Sequence, residues 1–256
     1  MIRLIVSDID GTLIDSTEGS VSPRIFEQIE RLSGEGIVFA PASGRQYRSV
    51  RRLFAPLADK LYYICENGAV VFAPGSPGPV LSKVAMDRRE AMALARKIVA
   101  TPNCELLMSG TDTSYLCPKG GEIVELIRDK VGNNVVLLPR PEDVPEAVVK
   151  VSAYRPGDAE SLLPLLTPHY GEVFSAAIAG DGWLDFTLAD KGLGVRRLCA
   201  AMGIEPSEVM AFGDNFNDLP MLRAVGHPYI MSTANPRLLD LVENSCSCVA
   251  DVLERL

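Results

Sequence analysis

The chain predicts an α/β protein: an open, doubly wound parallel sheet interrupted by an inserted α+β domain. Three observations predict it. Short apolar, β-branched runs alternate with helix-length amphipathic stretches between residues 2 and 65, the same alternation returns after Lys191, and the segment between them carries strands in pairs. Continuous apolar strands separated by helices mark a parallel sheet covered on both faces, whereas grouped strands mark an α+β unit.

Ile2–Val6 predicts the first buried strand. Ser22-Pro23 then sets an N-cap and a proline at the first helical position, Ile25, Phe26, Ile29 and Leu32 continue at helical spacing, and Gly34 and Gly36 end the helix. Ile37–Ala40 predicts a second strand, Pro41-Ala42-Ser43-Gly44 a turn, residues 45–54 a basic helix and Leu61–Cys65 a third strand. Ala73–Pro79, rich in glycine and proline, reads as a turn or linker. Beyond it the pattern predicts helices over 88–99, 121–131 and 159–166, with strands at 106–108, 115–116, 135–138, 148–154, 173–178 and 183–188. After Lys191 follow a helix over 192–202, a strand at 209–212, a helix over 218–224 and short strands at 229–231 and 246–250. The expected division is a discontinuous core, residues 1–80 and 186–256, around a middle domain, residues 81–185.

Composition narrows the function classes. The 256 residues are 47% hydrophobic and 23% charged, ordinary for a soluble globular chain. A net charge of −8 argues against nucleic acid or an anionic membrane as partner. No apolar run is long enough to span a bilayer, and Asp8 and Asp10 interrupt any leader-like start. Six cysteines in neither a zinc nor a redox spacing imply reduced thiols and a cytoplasmic setting.

The chemistry-bearing residues gather where strands end, the edge at which open α/β sheets bind ligands. Asp8-Ile9-Asp10-Gly11-Thr12 follows the first strand, Ser43-Gly44-Arg45 the second, and Gly213-Asp214-Asn215-Phe216-Asn217-Asp218 a late one. Magnesium takes oxygen ligands and keeps several waters, so a few carboxylates and a substrate phosphate complete its shell. Carboxylates also accept phosphoryl groups, and Asp8 and Asp10 share strand parity, so one could attack while the other handles a proton. Each motif alone has a plainer reading: a hairpin turn at Asp10-Gly11, a helix cap at Asp214–Asp218, a serine cap at Ser43. A calcium loop at Asp214 would need glycine and glutamate where Leu219 and Val225 stand. Lys191 opens a helix, where the macrodipole disfavours a cation, so a nearby anion would compensate it. His169 and His227 belong to no motif, and Trp183 reads as core.

Together, Asp8-Ile9-Asp10-Gly11-Thr12, Ser43, Lys191-Gly192 and Gly213-Asp214 with Asn217-Asp218 resemble the haloacid dehalogenase superfamily of phosphohydrolases, whose core is a Rossmann-like fold. The insert is similar to the type-2 cap of its Cof-like sugar-phosphate and phosphoglycolate phosphatases, and Glu66-Asn67-Gly68-Ala69 resembles a turn of that branch. The resemblance implies a magnesium-dependent phosphatase of small phosphorylated metabolites, acting through an aspartyl-phosphate. It makes Asp8 the nucleophile and Asp10 the general acid/base. Ser43 and Lys191 would hold phosphoryl oxygens, with Gly44, Arg45, Asn67 and Asn217 on the substrate side, Asn217 orienting either phosphate or Lys191. Asp8, Asp214, Asp218 and the Asp10 carbonyl would hold Mg2+. Two positions depart from the family pattern: serine at Ser43 for the commoner threonine, and Ser232–Pro236 for a glycine-asparagine-alanine turn. Phosphomannomutases have a related core and cap, so a phosphomutase is the alternative activity, and a non-catalytic phosphate- or metal-binding module a more distant one.

Overall fold

The computed structural model describes residues 1–14, 19–179 and 182–256. In chain order its elements are β1 (Leu4–Ser7), α1 (Pro23–Gly34), β2 (Val38–Pro41), α2 (Tyr47–Leu53), β3 (Tyr63–Cys65), β4 (Val70–Phe72), β5 (Val80–Lys83), α3 (Arg88–Ala100), β6 (Glu105–Ser109) and β7 (Ser114–Leu116). Then come α4 (Glu122–Val124), continued as a π-helical stretch to Lys130, β8 (Val135–Leu137), β9 (Lys150–Tyr154), α5 (Leu163–Val173), β10 (Ser175–Ala179) and β11 (Trp183–Thr187). The chain closes with α6 (Lys191–Met202), β12 (Val209–Gly213), α7 (Leu219–Leu222), β13 (His227–Met231), α8 (Pro236–Leu239), β14 (Asn244–Cys246) and α9 (Val249–Leu253). Among the described residues no helix is long and apolar enough to cross a membrane.

Two compact units emerge: residues 1–45, 50–82 and 190–256 in the first, residues 46–49 and 83–189 in the second. The first unit is built on a parallel sheet in the order β14-β13-β12-β1-β2. A parallel bridge between Ala42 and Ile64 adds the end of β3 beside β2. Leu4 and Val6 of β1, with Val209 and Ala211 of β12, point to the face covered by α6 and α7, where they meet Val195, Leu198, Met221 and Leu222. Burial alternates with period two along such strands, yet both faces are closed, so β1 is buried throughout. α1 packs on β2 and against α9.

The approach of α6 to β3 is unusually close. A side chain at Gly194 would run into Ile64 Cγ2 and the backbone of Gly68, so only a residue without a Cβ lets the first turn of α6 settle there. That seating fixes Lys191, the first residue of α6.

The second unit is a six-stranded sheet in the order β10-β11-β9-β6-β7-β8, antiparallel except for β7 beside β8. α3, α5 and the 3-10 turn leading into α5 cover one face, packing Ala91, Leu94, Ile98, Leu162 and Leu166 onto Leu106, Met108, Val151, Ala153, Leu184 and Phe186. On the other face Leu107 and Leu116 meet Ile123, Val124 and Ile127.

Several boundaries differ from the sequence reading. The glycine- and proline-rich stretch, read as a turn or linker, is a turn: the loop of the β4–β5 hairpin, closed by Ala73 N donating to Pro79 O at 2.9 Å. α5 continues past Pro168, which forfeits a single amide bond while Tyr170 and Val173 pack onto the core and hold the helix in place. Near the end, β14 stops at Cys246, and Val249, Ala250 and Leu253 form the buried stripe of α9. The basic helix begins at Tyr47, so Ser43 does not cap it.

Overpacking sets the first expected outcome. Gly194→Val should lower stability by about 1–3 kcal/mol, seen as a lower urea midpoint at unchanged slope. Gly34→Ala, at a helical position with open space around it, should instead leave stability unchanged or raise it by about 0.5–1 kcal/mol.

Candidate active site

Asp8 is the first residue beyond β1, and its N–H continues the sheet by donating to Phe212 O at 2.9 Å. The chain then turns back tightly, with Gly11 N donating to Ile14 O at 2.9 Å and Ile14 N to Ile9 O at 2.9 Å. Gly11 sits at φ +89°, and a Cβ there would overlap the Asp214 carboxylate, so glycine is required twice over. Next to it, Thr12 Oγ1 donates to Asp214 Oδ1 at 3.2 Å.

β12 delivers the second group of acids. Asp218 is fully buried and its Oδ2 accepts from the N–H groups of Asp214 and Asn215, both at 3.0 Å. Its other oxygen accepts from Lys191 Nζ at 2.5 Å, and Lys191 Nζ also donates to Asp8 Oδ1. Carboxylate oxygens of Asp8, Asp214 and Asp218 all lie within 4.8 Å of one another. Three strand and helix ends therefore converge on one buried cluster of three acids and one ammonium.

The cluster is out of charge balance, and its titration reflects this. Burial pushes the Asp8 carboxyl up to about 7, with Asp218 and Asp214 adding to the rise and Lys191 opposing it. Burial also raises Asp214, helped by Asp218. Desolvation works against the Lys191 ammonium, but Asp8 and Asp218 outweigh it and hold its pKa above the ordinary lysine value. For Asp8 and Lys191 the two shifts pull apart: one lysine cannot neutralise so many carboxylates, so Asp8 is the member left uncompensated.

A divalent cation fits this donor set. With every acid ionised, one ammonium among three carboxylates leaves an excess of negative charge in a desolvated place, and hard oxygen ligands suit Mg2+. Asp8 and Asp214 are the better ligands by the hydrogen-bond count, because Asp218 has committed both oxygens to Lys191 and backbone amides.

The remaining sequence-predicted residues form a neighbouring group in the same unit. Asp10 projects outward and receives a two-pronged contact from Arg45, Nε to Oδ2 at 2.9 Å and an Nη to Oδ1 at 2.6 Å. Ser43 is buried and its Oγ accepts from Arg45 N at 3.1 Å, while its carbonyl accepts from Asn67 N at 3.0 Å. Asn67 holds φ +55° and packs its side chain against Gly44, and its Oδ1 is buried without a hydrogen-bond partner. Asn217 is exposed in the turn before α7. Orienting Lys191, one of the two tasks the resemblance offered Asn217 beside orienting phosphate, falls to Asp218, and Thr12, to which the sequence reading gave no part, steadies Asp214. The signal for Thr12 was its position directly after Gly11.

Comparison with known proteins follows this geometry. A family model of haloacid dehalogenase-like hydrolases matches residues 5–251. The 5-amino-6-(5-phospho-D-ribitylamino)uracil phosphatase YbjI of Escherichia coli is 24% identical, the alignment covering 100% of this chain and 96% of that protein. The HMP-PP phosphatase of Enterobacter sp. (strain 638) is 27% identical over 93% of this chain and 87% of its own. A crystal structure from Eubacterium rectale superposes with a TM-score of 0.88 at 30% identity, covering 99% of this chain and 98% of that one. The sugar phosphatase BT4131 shares the fold, with a TM-score of 0.81 at 19% identity over 99% and 98% of the two chains.

The charge imbalance has a measurable sign. Between the unfolded carboxyl value and about 7 the folded protein holds a proton on Asp8 that the unfolded chain has lost, so stability falls as pH rises through that window. In metal-free buffer the wild type should lose stability relative to Asp8→Asn between pH 5 and 8, by on the order of a few kcal/mol. Urea midpoints of the two proteins at both pH values measure it, and parallel midpoints would contradict the assignment.

Proposed function

The chain belongs to the haloacid dehalogenase-like hydrolases, and from that premise we propose that it is a magnesium-dependent phosphatase of small phosphomonoesters working through an aspartyl-phosphate on Asp8. One observation carries the reading. A buried carboxylate at the end of β1 is held by a buried lysine from α6, beside two acids from β12. A bound Mg2+ would supply charge neutralisation between the carboxylates and an incoming phosphate, with Asp8, Asp214 and the Asp10 carbonyl to hold it and Asp218 at its edge.

The chain's own groups account for the rest. Asp8 is fixed by Lys191 for in-line approach to phosphorus, and the Lys191 ammonium lies where equatorial phosphoryl oxygens develop charge. As the Asp8 oxygen–phosphorus bond forms, the bond from phosphorus to the ester oxygen breaks, and Asp10 gives its proton to the departing alcohol. Asp10 then takes a proton from water, which attacks the phospho-Asp8 and releases inorganic phosphate with the Asp8 carboxylate restored. Arg45 holds Asp10 in its outward position, so Asp10 must be free to turn when an alcohol needs a proton. The Ser43 hydroxyl and the Asn67 side-chain NH2 are donors suited to phosphate oxygens, whereas the buried Asn67 Oδ1 can only accept.

The names carried by relatives, a ribitylaminouracil phosphatase and an HMP-PP phosphatase, support compact phosphorylated metabolites as the substrate class. Sugar and polyol phosphates are therefore the first candidates, with phosphoglycolate after them. Six free cysteines suit a reducing, cytoplasmic setting.

Phosphate release from a panel of phosphomonoesters tests the proposal. Asp8→Asn should abolish turnover in a folded protein, and Asp10→Asn should lower kcat by about 10²–10⁴-fold. Chelation should stop hydrolysis and Mg2+ restore it. Near-normal activity of Asp8→Asn would refute the nucleophile, and an isomeric sugar phosphate formed in place of inorganic phosphate would make the protein a mutase.

A further inference from the structure

β14 is the edge strand of the parallel sheet, with β13 and β12 between it and β1. Its last residue is Cys246, and the register pairs Cys246 with Met231, the last residue of β13. Partners in register share a face of the sheet, and here the sulfurs meet, Cys246 Sγ lying 3.8 Å from Met231 Sδ. Two residues on, Cys248 keeps an extended backbone, φ −149° and ψ 127°, before α9 begins. Burial alternates through Ser245, Cys246, Ser247 and Cys248, the serines exposed and the cysteines half-buried, which puts both thiols on one side. Burial raises the Cys246 thiol to about 11, and Cys248 is close enough to add to that rise, as does Asp251.

Both cysteines are free thiols and both line a cleft of about 450 Å³, together with Asp251 of α9 and Arg255 beyond it. Arg24 Nη1 approaches Cys248 Sγ at 4.0 Å and pairs with Asp251 at 2.7 Å.

Thiols reachable from a cleft are open to oxidation, and valine or serine would pack an edge strand without that liability. Three sulfurs gathered at one corner suit a metal instead. A metal–sulfur bond of about 2.3 Å sets two sulfurs on one ion roughly 3.8–4.0 Å apart, which is the separation of Cys246 and Met231. Two thiolates and a thioether are a soft donor set, and softness selects Cu(I) over harder cations. Zn2+ would call for nitrogen, oxygen or further thiolates to fill four places. The described lining of the cleft holds no histidine, and its carboxylate, Asp251, is engaged by Arg24. Two thiolates on one monovalent ion carry a net negative charge, which Arg24 and Arg255 are placed to offset.

We infer that Met231, Cys246 and Cys248 form a binding site for a soft monovalent cation, Cu(I). Each thiol gives its proton to solvent as the ion binds. The site stands apart from the phosphatase reading, because the carboxylates around Lys191 are hard donors that do not compete for Cu(I). The test uses the reduced full chain without oxygen: Cu(I) is titrated in competition with the chelator bathocuproine disulfonate, and circular dichroism checks that each variant is folded. The wild type should withhold a single equivalent and melt at a higher temperature with Cu(I) than without it. Cys246→Ser and Cys248→Ser should each weaken binding by more than about 100-fold, beyond the 10–100-fold typical of a residue that only supports a ligand. Met231→Leu, which keeps the volume, should weaken it about tenfold, whereas a packing role for Met231 would leave the affinity unchanged. Cys117→Ser, at a half-buried thiol of the second unit, should bind as the wild type does. No uptake by the wild type overturns the inference, and so does equal uptake by the variant carrying both cysteine substitutions. Should Cys246→Ser not fold, Cys248→Ser and Met231→Leu decide.

Discussion

A lysine ammonium buried between two carboxylates is the constraint on which the first unit depends. Lys191 is 1% exposed and Asp218 fully buried, so neither charge has water to turn to. Their mutual contact is tolerable only if α6 begins where β1 and β12 end, and that demand reaches well beyond the three side chains. Gly194 removes a Cβ so that α6 can lie on β3, Gly11 removes one so that the β1 loop can pass Asp214, and two backbone amides hold Asp218 in place. The parallel sheet brings these ends to one edge, and the buried charges make small errors there expensive.

The same constraint separates what the sequence reveals from what it hides. Period and punctuation expose the elements: α1 over Pro23–Gly34 follows from its proline at the first position and its apolar spacing, and the sheet from its uninterrupted apolar runs. What escapes is set by short length or by contact through space. α9 is five residues long and shows too little of a helical period to be told from a strand. The β4–β5 hairpin hides behind a loop whose proline and glycine content reads equally as a turn or a linker.

At the site, the acids can be listed from their positions after apolar runs, since carboxylates at strand ends are visible one residue at a time. The pairing of Lys191 with Asp218 is not visible, because nothing local couples a helix start to a turn 27 positions later. A reading by analogy offered Asn217, the neighbour with an amide, either that task or the orienting of phosphate. The structure gives it to the carboxylate, because only an anion can offset an ammonium denied solvent.

The buried polarity at the end of β1 is satisfied bond by bond but not in charge. Around Lys191 every contact is close, yet charge remains in excess, which is the condition for taking up a cation. Excess charge of this kind selects for an ion. A stability-driven sequence would remove the excess by dropping an acid. That it has not been removed is explained if the excess is kept for a ligand.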